Sequence, residues 1–149
     1  MTKMTRHISF ILTAAVTAIL CACDLETSDN GDLDGMWHLV RVDTLSTSGV
    51  KQMDGEKIYW SFQYKLLQVD DKTGARNSAL LRFEHAGGTL RLHTPYVYDR
   101  TNGDSPLTDV SLIAPFGINA LENNFTVERL NGSKMIINDN YLRLYFKKM

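Results

Sequence analysis

The run Phe125-Thr126-Val127-Glu128-Arg129-Leu130-Asn131-Gly132-Ser133-Lys134-Met135-Ile136-Ile137-Asn138-Asp139-Asn140-Tyr141-Leu142-Arg143-Leu144-Tyr145-Phe146-Lys147-Lys148 decides the class of this 149-residue chain. Phe125 to Leu130 reads as a strand, Asn131-Gly132 is a strong hairpin turn, and Lys134 to Asn138 returns. Asp139-Asn140 turns the chain again, and Tyr141 to Lys148 is the last strand. Side chains alternate along a strand, so Leu142, Leu144 and Phe146 share one face there. Tyr141, Arg143, Tyr145 and Lys147 share the other. Consecutive strands joined by short turns form an antiparallel meander.

The same period of two extends upstream. Ile58, Trp60, Phe62 and Tyr64 alternate with Tyr59, Ser61, Gln63 and Lys65, as in a half-buried strand. Leu67 and Val69 carry the apolar set on one residue out of phase, which predicts a bulge or a turn near Lys65. Leu81, Phe83 and His85 oppose Leu80, Arg82 and Glu84; Ala86-Gly87-Gly88 then turns the chain, and Leu90, Leu92 and Thr94 return. Pro95 to Pro106 reads as a long loop. Leu107 to Ile113 reads equally as helical turns or a short strand, and Ala114-Pro115-Phe116-Gly117 as a turn. No long amphipathic helix is predicted after the leader. The expected fold class is all-β, an antiparallel up-and-down meander forming a barrel or half-barrel.

The other end of the chain concerns location. Lys3 and Arg6 precede Ile8 to Leu20, an apolar run broken only by Ser9, Thr13 and Thr17. Thirteen helical residues rise about 20 Å, short of a ~30 Å hydrocarbon core, so 1–22 is expected to be a secretory signal and not a membrane span. Leu20-Cys21-Ala22-Cys23 resembles the lipobox of bacterial lipoproteins. That resemblance implies cleavage before Cys23, lipidation of Cys23, and attachment to a membrane through the lipid. Residues 23–34 hold five acids and two leucines, too little apolar surface to offset chain entropy, and are expected to be a solvated tether. Acids just behind the cysteine are similar to the surface-export signals of Bacteroidetes lipoproteins, which places the expected site at the outer membrane or cell surface of the envelope. Both cysteines, Cys21 and Cys23, fall in this segment, so the domain from Gly35 to Met149 is free of cysteine. Without Lys3 and Arg6, fourteen bases face seventeen acids, a net charge of −3; nothing in that balance marks a nucleic-acid binder.

Gly35-Met36-Trp37 stands just before the first expected strand. A Gly-x-Trp in that place resembles the opening signature of lipocalins. Together with the lipoprotein start and the Leu142-Arg143-Leu144-Tyr145-Phe146-Lys147-Lys148 ending, the pattern resembles small lipocalin-like lipoproteins of Bacteroidetes. The resemblance implies a barrel whose base is closed by Trp37, with a late basic residue over its ring; Arg143 or Lys147 is the expected cation. A central Thr-Asp-Tyr signature is not evident, and the chain ends on a strand where the family usually places a flanking helix, so the ligand cup is expected to be reduced or filled.

Trp37, Trp60, Phe62, Tyr64, Phe83 and Phe146 are expected to face the barrel interior, as packed core or as the lining of an apolar cup. His38, His85 and His93 are too dispersed to predict a metal site. Asp70-Asp71 reads as a polar turn. No Gly-x-Ser-x-Gly elbow or Gly-rich phosphate loop is present, and neither catalysis nor a cofactor is expected. Two functions remain open: binding of an apolar small molecule, or an envelope interaction module that meets a protein or glycan through a sheet face or the Pro95 to Pro106 loop.

Overall fold

Ten strands follow one another in chain order: β1 (Gly35–Thr44), β2 (Gly49–Gln52), β3 (Ile58–Gln63), β4 (Leu66–Asp71), β5 (Ala79–Ala86), β6 (Thr89–Val97), β7 (Ser105–Pro106), β8 (Asn123–Leu130), β9 (Lys134–Asn138) and β10 (Leu142–Lys148). The computed structural model describes residues 27–149; the expected signal 1–22 and Cys23, the expected lipidation site, lie outside the described residues. Among the described residues, β1, β3, β4, β5, β6, β8, β9 and β10 pair antiparallel in that order, and β10 returns to β1. The result is a closed eight-stranded barrel. β2 folds back on the far half of β1, and β7 on the end of β6.

Alternation sends one residue in two inward. Trp37 and Leu39 of β1, Trp60 and Phe62 of β3, and Leu144 and Phe146 of β10 are all essentially inaccessible and share one core. Each such side chain contributes about 1.5–3 kcal/mol by leaving water. The phase slip after Phe62 has a simple cause. Gln63 pairs with Leu66, so Tyr64-Lys65 is a two-residue turn. Tyr64 adopts φ 55° and is 46% exposed, so it does not join the interior aromatic set. Gly87 and Gly88, both with positive φ, make the β5–β6 turn where the sequence indicates it.

The expected loop from Pro95 to Pro106 is shorter than predicted. β6 runs through Pro95 to Val97, and Ser105-Pro106 pairs back on it. Pro95 is tolerated because the strand bulges there. Leu80 pairs with Tyr96 and Arg82 with His93, leaving Thr94 and Pro95 opposite a single residue, with Thr94 at φ 51°. The β8–β9 turn is a two-residue loop set one residue later than the reading, Gly132-Ser133, closed by the Asn131 N–H donating to the Lys134 carbonyl at 3.1 Å; Asn131 also acts through its side chain. Its Oδ1 accepts from the Ser133 and Lys134 amides at 3.0 and 2.9 Å, so the side chain, and not a left-handed backbone, turns the chain. The last part of the stretch expected to be a tether makes defined contacts. Leu33 is buried, Gly31–Leu33 form a 3₁₀ turn, and Asp34 accepts from Ser28 Oγ at 2.5 Å and the Asn30 amide at 3.0 Å.

The seam between β1 and β10 carries the barrel-closing contact. Trp37 pairs in register with Lys148, whose Nζ lies 5.0 Å from the indole ring centroid and donates to the Asp32 carbonyl at 2.8 Å. Neither expected cation is used. Arg143 and Lys147 are in the outward phase of β10, and Arg143 instead pairs with Glu128 at 2.9 Å. Lys148 is in phase with Leu144 and Phe146. Gly35, at φ +106°, gives its stem passage, since a Cβ there would meet Lys148 Cε at 3.3 Å.

Lys148→Ala is expected to lower the unfolding free energy by about 0.5–2 kcal/mol in urea titration, and Lys147→Ala by less than about 0.5 kcal/mol. Equal effects of the two would refute the assignment of Lys148.

Candidate ligand site at the barrel mouth

The chain between β7 and β8 forms no strand; Leu107 N–H still donates to the Pro95 carbonyl of β6 at 2.9 Å, and the segment then lies across one end of the barrel. It holds two 3₁₀ turns, Val110–Leu112 and Ala114–Phe116. Asp109 caps the first by accepting from the Ser111 amide at 2.9 Å. Pro115 suits the start of the second, because its missing N–H is needed by no one there. Gly117 ends it at φ +88°, with its Cα so close to β10 that a Cβ would sit 2.9 Å from a Leu144 methyl. Ile113, Phe116 and Ile118 are completely buried. This segment plugs the barrel.

A plug made of irregular chain must find partners for its polar backbone. Trp60 supplies one: its indole N–H donates to the Phe116 carbonyl at 3.0 Å. Trp37, directly opposite Trp60 on the neighbouring strand, does the same at the other end, donating to the Leu33 carbonyl at 2.8 Å. The two tryptophans thus hold down the two segments that cover the barrel ends.

Of the six aromatic residues expected inside, five are there. Trp60 and Phe146 lie 4.9 Å apart between ring centroids, Trp60 and Phe62 6.2 Å, and Phe62 and Phe83 5.0 Å, while Trp37 is Trp60's cross-strand neighbour. Phe125 adds an edge-on contact to Trp60 at 6.0 Å. These rings pack on one another in the preferred tilted and edge-to-face arrangements. Tyr64 is outside. The plug residues Ile113, Phe116 and Ile118 were not expected in the core, since their spacing follows neither a strand nor a helix period.

Open space lies beside the plug. A cleft of about 320 Å³ runs between the plug and the rim formed by the start of β5 and the end of β6. Ala79, Val97, Leu107, Leu112 and Pro115 give it apolar walls; Arg76, Asn77, Ser78 and Ser111 give it polar groups. The rim is the end of the barrel away from the chain entrance. Ile58 pairs with Asp71 there, whereas Gln63 and Tyr64 lie at the opposite end, where Asn30 Nδ2 donates to the Tyr64 carbonyl at 2.8 Å.

Two buried carboxylates brace that rim. Asp71 accepts from the Thr73 hydroxyl at 2.6 Å, the Thr73 amide at 2.9 Å and Arg76 at 2.7 Å, and these bonds hold it below the usual carboxylate range. Burial pushes the neighbouring Asp70 up, but Ser78, Gln68 and Lys72 outweigh it and leave it lowered as well. Both acids are ionised and committed to the loop that carries Arg76 and Ser78, an arrangement that braces structure and offers no free acid–base pair. The histidines are apart: His38 Nε2 meets the Glu56 carbonyl at 2.7 Å and His93 Nδ1 meets Thr94 Oγ1 at 2.8 Å. Among the described residues no three His, Cys, Asp or Glu side chains group to hold a metal ion.

Two outcomes follow. Trp60→Phe keeps a ring but leaves the Phe116 carbonyl unpaired, and is expected to cost about 1–3 kcal/mol with faster hydrogen exchange confined to the plug amides. Uniform acceleration across all strands would contradict it. Because Asp70 and Asp71 have lowered folded pKa values, their contribution is complete above the unfolded value of about 3.9 and is lost as pH falls through the folded one. The Thr73 amide is therefore expected to stay protected from pH 5 to 8 and to lose protection only as pH falls below the usual carboxylate range; loss of protection on raising the pH would reverse the assignment.

Comparison with known proteins agrees with this architecture. The model of a lipocalin-like domain matches residues 18–149. A lipocalin-like protein from Bacteroides uniformis ATCC 8492 superposes with a TM-score of 0.61 at 18% identity, over 80% of this chain and 100% of that one. An uncharacterized protein from Bacteroides eggerthii DSM 20697 gives 0.58 at 19%, over 78% and 99%. At such identities the likeness is one of fold. No curated protein matches the chain. With a closed eight-stranded meander, a Gly-x-Trp opening under a late lysine, and a family match across most of its length, the chain belongs to the lipocalin-like domain family.

Proposed function

We propose that this protein is a lipid-tethered envelope module that binds a small apolar molecule at the mouth of its barrel, and that it is a carrier or receptor and not an enzyme. The mouth cleft carries the reading. Its volume of about 320 Å³ falls in the ~300–1,000 Å³ range of small-ligand sites. Its lining is mixed: Ala79, Val97, Leu107, Leu112 and Pro115 offer apolar surface, and Arg76, Asn77, Ser78 and Ser111 offer polar groups that could orient a ligand. The plug beside it makes most of its backbone bonds within itself, such as Ile113 N–H to the Val110 carbonyl and Gly117 N–H to the Ala114 carbonyl, while Trp60 and the burial of Ile113, Phe116 and Ile118 fix it to the barrel. A ligand seated on Leu112 and Pro115 therefore rests on the outer side of a fixed plug.

The anchor rests on the leader, on Leu20-Cys21-Ala22-Cys23 and on the acids behind it. Geometry is compatible with it: the chain enters at the end opposite the mouth. A domain held at Cys23 would turn its opening away from the membrane.

N-phenyl-1-naphthylamine, a neutral apolar fluorophore, is expected to bind saturably, and Leu112→Asp to weaken it tenfold or more by placing a charge on the apolar wall. Leu45→Asp, an exposed position outside the cleft lining, is expected to leave it unchanged. Binding indifferent to Leu112→Asp would remove the site. Separately, Cys23→Ser is expected to move the protein out of the membrane fraction; a variant that stays there with its leader uncut would remove the anchor.

A further inference from the structure

A second concavity lies on the outside of the barrel, on the sheet face that the core does not use. Its volume is about 430 Å³. The register explains its composition. Arg41 of β1 pairs with Tyr145 of β10, Tyr145 with Ile136 of β9, and Ile136 with Arg129 of β8, so one rung crosses four strands. The next outward rung pairs His38 with Lys147 and Lys147 with Lys134. The β1 strand bulges between Leu39 and Arg41, which adds half-buried Val40 to the same face. The floor is thus Val40, Ile136 and the Tyr145 ring.

The walls are cationic. Arg41 stacks over Tyr145 with its guanidinium carbon 4.8 Å from the ring centroid, and is neutralised by Asp43, which also accepts from the Tyr145 hydroxyl at 3.0 Å. Glu128, the acid nearest on β8, is taken by Arg143 and Asn138. Arg129, Lys134 and Lys147 line the groove and have no acid partner among the described residues. Asp54 is the acid on the rim. Three unpaired cations around an apolar floor, on a domain in which fourteen bases and twelve acids nearly balance, form a surface complementary to a molecule with an anionic head and a greasy body. Its concavity suits one chain and not a flat bilayer.

We propose that this outer groove binds a single-chain anionic amphiphile, a long-chain carboxylate, with its hydrocarbon on Val40, Ile136 and Tyr145 and its head among Arg129, Lys134 and Lys147. The site is separate from the barrel mouth and does not depend on the function assigned there. Tyr145 is pinned from both sides, by Arg41 stacking and by the bond to Asp43, so the floor is preorganised. The cations are exposed and flexible enough to close on a carboxylate.

The test is titration calorimetry of sub-micellar laurate into the full chain carrying Cys23→Ser, so that no covalent acyl chain competes. Saturable binding is expected, tightening roughly 2- to 4-fold per methylene from the eight- to the twelve-carbon acid and weakening as salt screens the cations. Lys134→Glu with Lys147→Glu is expected to weaken laurate at least tenfold, and Ile136→Asn similarly by removing the floor. Leu112→Asp is expected to leave it unchanged. Dodecyltrimethylammonium, with the same chain and opposite charge, is expected not to bind. The proposal is overturned if laurate does not saturate, if the ammonium binds as well, or if the double charge reversal has no effect. Loss of laurate binding in Leu112→Asp alone would assign it to the mouth and overturn the groove. Capture of the chain by phosphatidylglycerol vesicles through Lys134 and Lys147, without saturable laurate binding, would make the face a membrane contact and equally overturn it.

Discussion

Two indole N–H groups, side by side on adjacent strands, let a short β-barrel close at both ends. Trp37 and Trp60 are cross-strand neighbours, yet each donates to a carbonyl of a different covering segment, Leu33 below and Phe116 above. Chain that crosses a barrel end cannot join the ladder and is shielded from water. A carbonyl left unpaired there costs about 1–3 kcal/mol, comparable to what one buried side chain gains. Tryptophan is suited to the task because it fills volume and carries one donor at the ring's edge. The same two rings then organise the core around them, with Lys148 above Trp37 and Phe62, Phe125 and Phe146 around Trp60.

This use of the interior decides where open space is left. The aromatic rings touch one another, and the plug brings Ile113, Phe116 and Ile118 in among them, so the centre serves stability. Accessible space is displaced to the mouth, between plug and rim, and to the outer face over β1, β10 and β9. The two places differ in chemistry. The mouth mixes apolar side chains with neutral polar groups and a paired arginine; the outer groove is mainly apolar with unpaired cations. A single fold can in this way present two surfaces of different selectivity without hollowing its core.

The strands were legible because their signal is local. Phe125 to Lys148 alternates, and the structure places its strands within two residues of the reading. The misreadings arise where a tertiary choice overrides that pattern. Tyr64 continues the alternation of Ile58, Trp60 and Phe62 on paper, but the turn begins one residue sooner. Arg143 and Lys147 look like the closing cations because they are the basic residues of the outward run, whereas the seam register, with the room left at Gly35, selects Lys148. Pro95 argues against a strand unless a bulge is known to sit there. The plug has no period at all; Ile113, Phe116 and Ile118 are buried because of where the barrel end lies. The outer groove was beyond reach for another reason, since the Arg41, Tyr145, Ile136 and Arg129 rung exists only once four strands are in register.

The seam between the first and last strands also governs when the molecule can become itself. Tyr145 reaches Asp43 across 102 residues and Lys148 reaches Asp32 across 116, so the contacts that finish the cylinder are among the most distant in the chain. Loop closure over such spans is slow and comes after local hairpins have formed. A ribosome-bound fragment lacking β10 has an open sheet with two raw edges and an uncovered Trp37, and no way to seal them. The cylinder is therefore complete only once β10 has been made and has met β1.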